Sequence, residues 1–300
     1  MSNRVTHFRT GSNSSAYDIG SKLVDKDYLR TIYPSVVPNG IQLSLWGFNL
    51  YGQVGDNTLA HRSTPRQEFT SSANWKQVSL GSNHTLAIKT DGTLWAWGYN
   101  LYGQVGDNTL ANRSTPRQIG TNTNWKQVFA GPNSGHAQAI KTDGTFWAWG
   151  NNFYGQVGDN TRANRSTPRQ IGTDTNWRQV AGGGNHSIAI KTDGTLWAWG
   201  YNTYGQVGDN TRAHRSTPRQ IGTDTNWKQV APGNNHSLAI KTDGTLWAWG
   251  RNVFGNIGDN TAGNLANRST PRQEFTSSAN WINVSSGNER SSALQSPPNP

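Results

Sequence analysis

Histidine recurs in this chain at a spacing that could gather several imidazoles around one axis. The series consists of His84, His136, His186 and His236, and the fifth equivalent position holds Arg290. A zinc site would need such side chains within about 2 Å of one ion. Side chains from separate structural units cannot converge to that extent. We therefore interpret the histidines as structural and expect neither a bound metal nor a cofactor.

A Gly-Asp-Asn-Thr segment also recurs, and its carboxylates are the next candidates for chemistry. The series consists of Asp56, Asp107, Asp159, Asp209 and Asp259. A calcium loop needs several oxygen ligands at alternating positions, whereas each of these segments offers one acid. An aspartate in this context favours a turn, because its carboxylate accepts nearby backbone N–H groups.

The sequence does not predict an enzyme. The repeats contain no Ser-His-Asp order, no pair of acids and no phosphate-binding loop, and the Gly-x-Gly pieces never precede a helix. The chain has no cysteine, which excludes a thiolate nucleophile, a disulfide and a cysteine-ligated metal.

Arginine and tyrosine are the predicted binding residues, because they recur beside the two loops that differ most between repeats. Several copies of Arg and Tyr on one rigid body could grip carboxylates, sugars or phosphates with avidity. The alternative is that these loops have drifted since a duplication. The residues are Arg62, Arg113, Arg165, Arg215 and Arg268 with Tyr51, Tyr102, Tyr154 and Tyr204.

Tryptophan marks the period of the repeat that must position these residues. One series is Trp75, Trp125, Trp177, Trp227 and Trp281, and a second is Trp46, Trp97, Trp149, Trp199 and Trp249. A period near fifty residues is typical of repeat architectures. Only 32% of the chain is hydrophobic, but each buried indole removes roughly 150–250 Å² from water. Regular tryptophans can therefore supply the core.

Each unit predicts four strands. The segments NWKQV, HSLAIK and TLWAWG alternate in strand fashion, and the Asp-Gly between the last two is a strong hairpin signal. A long connection with several glycines then leads to an outer strand. In TLWAWG both strand faces carry apolar residues, so sheets must stack on both sides of it. The pattern predicts an all-β fold in which four-stranded blades stack as a β-propeller.

The motif GNNHSLAIKTDGTLWAWGRNVFGNIGDNT resembles the regulator of chromosome condensation repeat. The resemblance covers about 250 residues and recurs five times. It implies a propeller of four-stranded blades, of which the best-known members have seven. It also implies that the recurring histidine lies inside its blade and hydrogen-bonds backbone.

The ends of the repeat region predict how five blades could close. The region opens at Gln42 on a third strand, LSLWG, and ends with the first two strands, NWINVSSGNERSSALQ. Residues 280–295 and 42–47 would then share one composite blade, which removes exposed strand edges. We expect a five-bladed propeller over residues 42–295 and a tail over 296–300. A larger ring made by two chains is the alternative.

Residues 1–41 lie outside the repeat and predict an anchoring segment. Apolar residues at three-to-four spacing outline a short helix that ends at Pro34. It either packs on the propeller or docks into other proteins of a larger assembly. No apolar run is long enough for a membrane span. The anchoring residues are Tyr28, Leu29, Ile32 and Tyr33.

The formal net charge of +10 does not predict nucleic-acid binding, because the basic residues are interleaved with acids around the repeats. The brief N-terminal leader before the repeats looks like that of repeat proteins encoded by marine bacteriophages and thought to be virion components. This resemblance favours a non-catalytic structural or recognition protein of a virion tail, fibre or capsid, with a host-surface ligand and a homo-oligomer as further expectations.

Two other functions remain as alternatives. The first is the guanine-nucleotide exchange and chromatin binding of the best-known members of the family. The second is a sugar-binding propeller, which the tryptophan and asparagine content suggests. The cytoplasm is the alternative to the virion as the location of the protein.

Overall fold

A computed structural model describes residues 40–131, 134–263 and 265–297, and within them the regular elements are twenty β-strands. The predicted N-terminal helix and the anchoring residues Tyr28, Leu29, Ile32 and Tyr33 lie outside the described residues. The strands are β1 Ser44–Gly47, β2 Arg62–Gln67, β3 Trp75–Leu80, β4 His84–Lys89, β5 Leu94–Gly98, β6 Arg113–Gln118, β7 Trp125–Ala130, β8 His136–Lys141, β9 Phe146–Gly150, β10 Arg165–Gln170, β11 Trp177–Gly182, β12 His186–Lys191, β13 Leu196–Gly200, β14 Arg215–Gln220, β15 Trp227–Pro232, β16 His236–Lys241, β17 Leu246–Gly250, β18 Arg268–Gln273, β19 Trp281–Ser286 and β20 Ser291–Gln295.

Sixteen of these strands form four complete blades. Each blade is an antiparallel meander of four consecutive strands, namely β3–β6, β7–β10, β11–β14 and β15–β18. The repeated four-stranded sheets confirm the all-β, propeller-like architecture that the sequence predicts.

The two ends of the repeat region form half-blades. Strands β1 and β2 make one two-stranded sheet, and β19 and β20 make another. No ladder joins β20 to β1 in the described part of the chain. The composite blade expected from residues 280–295 and 42–47 is therefore not formed within the chain in this structure.

The Thr-Asp-Gly turn shows why the second and third strands of each complete blade form a tight hairpin. In the third complete blade the Asp193 carboxylate accepts the Thr195 backbone N–H at 3.0 Å and the Thr195 hydroxyl at 2.7 Å. Gly194 has a φ of 79°, a conformation that glycine adopts without strain. A Cβ at this position would also lie 1.9 Å from the Thr225 carbonyl oxygen of the next blade. The turn thus closes the hairpin and packs against the next blade.

The core lies between blades and is built on the second tryptophan of each third strand. Trp199 is fully buried, and its indole N–H donates to the Gln156 carbonyl of the preceding repeat at 2.9 Å. The neighbouring Val157 is also fully buried. The equivalent indole bond recurs in every complete blade at 2.9–3.0 Å, from Trp97 to Gln53, Trp149 to Gln104, Trp199 to Gln156 and Trp249 to Gln206.

A lysine ammonium fills the space between two indoles at the turn end of each complete blade. The Lys191 Nζ lies 4.7 Å from the Trp177 ring and 3.9 Å from the Trp197 ring. It also pairs with the Asp174 carboxylate at 2.7 Å. Indole faces attract cations, so this lysine joins two strands of one blade.

The recurring histidines are buried at the contacts between blades. The Nε2 atoms of His136, His186 and His236 lie 2.9–3.1 Å from serine hydroxyls of the following repeat. The resemblance implied a backbone partner, but here the partner is a side chain of the next repeat. Burial lowers the pKa of His136 and His186 to about 3 and that of His84 and His236 to about 4.

Replacing Trp199 by Ala tests the packing between blades. We expect a loss of about 3–5 kcal/mol in the free energy of unfolding, because the variant leaves a large cavity and an unpaired carbonyl. Leu101→Ala is the control, since Leu101 is exposed and its loss should change stability by less than about 0.5 kcal/mol. Chemical denaturation measures both. Equal midpoints for the two variants would contradict the buried position of Trp199.

The buried histidines predict a loss of stability in mild acid. Their folded-state pKa values lie below the unfolded value of about 6.5, so the unfolded chain binds more protons once the pH falls below 6.5. Stability is then lost down to about pH 4 for His84 and His236 and down to about pH 3 for His136 and His186, by roughly 2 kcal/mol per histidine at pH 5. The aspartates, whose pKa values are also lowered, contribute only below about pH 4.

Urea unfolding between pH 7.5 and pH 4.5 measures this effect. His186→Gln should reduce the number of protons taken up on unfolding by about one, because glutamine does not titrate. The slope of the unfolding free energy against pH becomes smaller by that amount. An unfolding free energy that is equal at pH 7.5 and pH 5 would contradict neutral, buried histidines.

Candidate recognition face

Strand direction places two sets of connections at one end of every blade. In an antiparallel meander, the connection between the first and second strands lies at the same end as the connection between the third and fourth. We call this end the loop face. It comprises residues 81–83, 183–185 and 233–235 with residues 48–61, 99–112, 151–164, 201–214 and 251–267. Both loops that vary between repeats therefore lie on one side of the molecule.

An aspartate organises each long connection on the loop face. The Asp107 Oδ1 accepts the Thr109 backbone N–H at 3.1 Å and its hydroxyl at 2.7 Å, and Asp107 Oδ2 accepts the Arg113 Nε at 2.6 Å. Burial would raise the pKa of Asp107, but the hydrogen bonds from Thr109 and Arg113 and the charge of Arg113 outweigh it and lower the pKa. The predicted turn-forming role of this aspartate series is confirmed.

A buried asparagine completes the same connection. The Asn100 Nδ2 donates to the carbonyl oxygens of Thr109 and Ala111 at 3.0 and 3.1 Å, and its Oδ1 accepts the Val105 N–H at 2.8 Å. One side chain thereby satisfies backbone groups that a buried loop would otherwise leave unpaired. The connection is a rigid platform.

The first arginine of each fourth strand belongs to this platform. All five predicted binding arginines contact the aspartate of their own repeat, and their side chains are only 22–26% exposed. Their Nη2 atoms also donate to a threonine hydroxyl of the same loop. The guanidinium groups of Arg62, Arg113, Arg165, Arg215 and Arg268 therefore hold the loop rather than stand ready for a ligand.

A second arginine series is the accessible one. Its side chains are 55–58% exposed and lie 3.6–3.9 Å from the same aspartates. Sequence reasoning did not single these residues out, because both arginines of Arg-Ser-Thr-Pro-Arg recur with equal regularity. The residues are Arg117, Arg169, Arg219 and Arg272.

The four predicted tyrosines are half-buried on the loop face, where they form parts of an aromatic row. Tyr51 meets Tyr99 edge-on at 4.7 Å between ring centroids, and Tyr99 meets Tyr102 at 6.0 Å. Tyr154 and Tyr201 repeat the first contact at 4.7 Å. The residue after Trp-Gly thus packs on the tyrosine of the preceding repeat.

Other members of the row were missed by sequence reasoning. The Tyr102 ring lies 5.8 Å from Phe153, and the Arg251 guanidinium lies 5.5 Å from the rings of both Tyr204 and Phe254. Their position in the repeat is the signal in the sequence: Arg251 directly follows Trp-Gly, Phe153 lies three residues before Gln-Val, and Phe254 lies two residues before Asn-Ile. The aromatic row is defined by Phe48, Tyr51, Tyr99, Tyr102, Phe153, Tyr154, Tyr201, Tyr204, Arg251 and Phe254.

The exposed side chains around the row differ between its two ends. Leu59 and Leu110 are exposed in the first two repeats, whereas the equivalent positions of the next two hold exposed Arg162 and Arg212. The platform beneath them is the same. The loop face therefore combines an apolar end with a basic end.

The described residues contain no group of three or more histidines, cysteines or acids that could hold a metal ion. Among the same residues, no helix is long and apolar enough to cross a membrane.

Solved structures share this fold. The chain superposes on yeast RCC1 (Prp20), from a structure with bound Kap60, with a TM-score of 0.72 and 22% identity, covering 86% of this chain and 65% of that one. It matches human WBSCR16 with a TM-score of 0.70 and 24% identity, covering 83% of this chain and 66% of that one.

Sequence comparison gives relatives over a shorter span. The ultraviolet-B receptor UVR8 of Arabidopsis thaliana is 32% identical over 130 residues, which is 43% of this chain and 30% of the receptor. The chain thus matches less than a third of that relative's length. The model of the RCC1-like domain matches residues 36–297, and the chain belongs to the RCC1-like domain family.

Proposed function

We propose that the protein is a non-catalytic recognition module whose loop face binds another protein. The observation that carries the proposal is the aromatic row, which sits on rigid loops and is flanked by exposed Leu59 and Leu110 at one end and Arg162 and Arg212 at the other. Aromatic residues and arginine are enriched where proteins bind proteins. Yeast RCC1 (Prp20), which shares the fold, binds the protein Kap60, and this supports a protein as the partner.

The charges on the face indicate the chemistry of the partner. Arg162 and Arg212 are exposed, and Arg251 already pairs with Glu289 at 2.5 Å. An apolar segment followed by acidic residues would cover the leucines and rings and neutralise the two exposed guanidinium groups. A rigid platform lowers the entropic cost of binding such a segment.

Selection from a displayed random peptide library tests the proposal. We expect the enriched peptides to carry an apolar or aromatic cluster beside acidic residues. Phe153→Ala and Arg212→Ala should each weaken a selected peptide at least tenfold, about 1.4 kcal/mol. Phe69→Ala is the matched control, because Phe69 is 57% exposed against 55% for Phe153 but follows β2 at the opposite end of the strands. Equal losses for Phe69→Ala and Phe153→Ala would contradict a site on the loop face.

The biological setting that we propose is a virion, with residues 1–41 attached to the assembly and the loop face directed outward. The N-terminal leader before the repeats supports this setting. Mass spectrometry of purified particles tests it, and absence of the chain from every particle would contradict it. Faster nucleotide release from a small GTPase, or binding to a glycan array, would instead favour exchange activity or sugar binding.

A further inference from the structure

In the last repeat, no described residue fills the position against which the next blade packs in the other repeats. In the other four repeats, a Cβ added to the glycine after Gln-Val would lie 2.6–2.8 Å from the indole nitrogen of the next blade's tryptophan. These glycines are Gly55, Gly106, Gly158 and Gly208. Gly258 holds the same position, yet nothing lies within 4 Å of a Cβ added there.

Two further contacts are vacant at the same place. A Cβ on Gly52, Gly103, Gly155 or Gly205 would lie 2.4–2.5 Å from a serine Cα of the next fourth strand, whereas for Gly255 the nearest atom is Thr261 O at 3.9 Å. The backbone N–H of Asn57 donates to the Ser114 carbonyl, and three later repeats copy this bond. Asn260 makes no such bond to a described residue. We call residues 255–260 the vacant seat.

The first half-blade carries the groups that fit the vacant seat. Trp46 occupies the position of Trp97, and Ser63 occupies that of Ser114. The Trp46 indole N–H donates to no acceptor in the described part of the chain. Gly47 also has open space around it, whereas a Cβ on the equivalent Gly98 would lie 2.5 Å from the Asn83 carbonyl oxygen of a paired strand.

Strand edges show the same complementarity. The second strand of every complete blade is buried along its length and pairs along both edges, as β4 pairs with β3 and β5. Strand β20 pairs only with β19, and its Leu294 is 52% exposed. Unpaired edges of this kind template the addition of another strand.

We propose that the β20 edge and the vacant seat of one copy receive β1 and β2 of a second copy, which completes a four-stranded blade. By equivalence with β4 and β5, Ser292 would pair with Leu45 and Ala293 with Ser44. The Trp46 N–H would donate to the Asn256 carbonyl, as Trp97 donates to Gln53. The second copy thereby makes at the last repeat the same contacts that the next blade makes at each of the other four repeats.

The two half-blades indicate that the occupant is a second copy, because each half-blade carries the pair of strands that the other lacks. They do not share a sheet in the described part of the chain. A head-to-tail contact of this kind joins further copies into a ring or a filament. The proposal is independent of what the loop face binds.

Cysteine pairing tests the proposal in the full chain, which has no native cysteine. Paired residues of antiparallel strands have Cα atoms about 4.5–5.5 Å apart, within the range that a disulfide spans. We expect S44C mixed with A293C to form a disulfide-linked heterodimer under mild oxidation. T121C, at an exposed position between β6 and β7, should form none with A293C.

Two further measurements decide between possible occupants. The double variant S44C/A293C should form linked oligomers, and a disulfide found only within single chains would overturn the proposal in favour of closure of one chain. Absence of any disulfide would also overturn it, because β1 and β20 would then not lie side by side. Light scattering should give a mass above the 32.9 kDa chain that Trp46→Ala reduces, and a monomeric mass at every concentration would also overturn it.

Discussion

The stacking of the blades depends on one recurring hydrogen bond, from the indole N–H of a third-strand tryptophan to a backbone carbonyl of the preceding repeat. A buried indole N–H is stabilised by an acceptor, and Trp149 donates to the Gln104 carbonyl at 3.0 Å. Gly106 allows the ring to approach, because any Cβ there would collide with it. The bond therefore fixes both the distance and the orientation of one blade relative to the next.

The loop face is rigid because hydrogen bonds hold the loops of each blade in place. Each loop is held by its own Asn, Asp, Thr and Arg side chains, as seen for Asn100, Asp107, Thr109 and Arg113. The side chains that vary between repeats project from these fixed loops, and the aromatic row crosses from one repeat to the next. Polarity along the face can change at exposed positions such as Leu110 and Arg162 without a change in the loop beneath.

Much of the fold was predictable because its signals are local. The Asp-Gly turns and the alternation in Leu-Trp-Ala-Trp-Gly specify strands, and the period of the tryptophans specifies stacked sheets. The site was less predictable. Arg113 and Arg117 recur alike in the sequence, and only the structure shows that the first is held by Asp107 while the second is 56% exposed. Contacts such as Tyr51 with Tyr99 join residues of different repeats, so no local pattern contains them. Whether the two ends share a sheet also depends on the angles between all successive blades, which no single repeat specifies.

The indole bond has a consequence for evolution. Each unit carries both halves of the contact, the tryptophan that donates and the Gly-Gln-Val-Gly segment that accepts, and it touches only its neighbours. A gene that gains or loses one unit in the middle therefore creates no new kind of junction. The length of the array can change by whole units in a single recombination event, while the surface loops diversify one unit at a time.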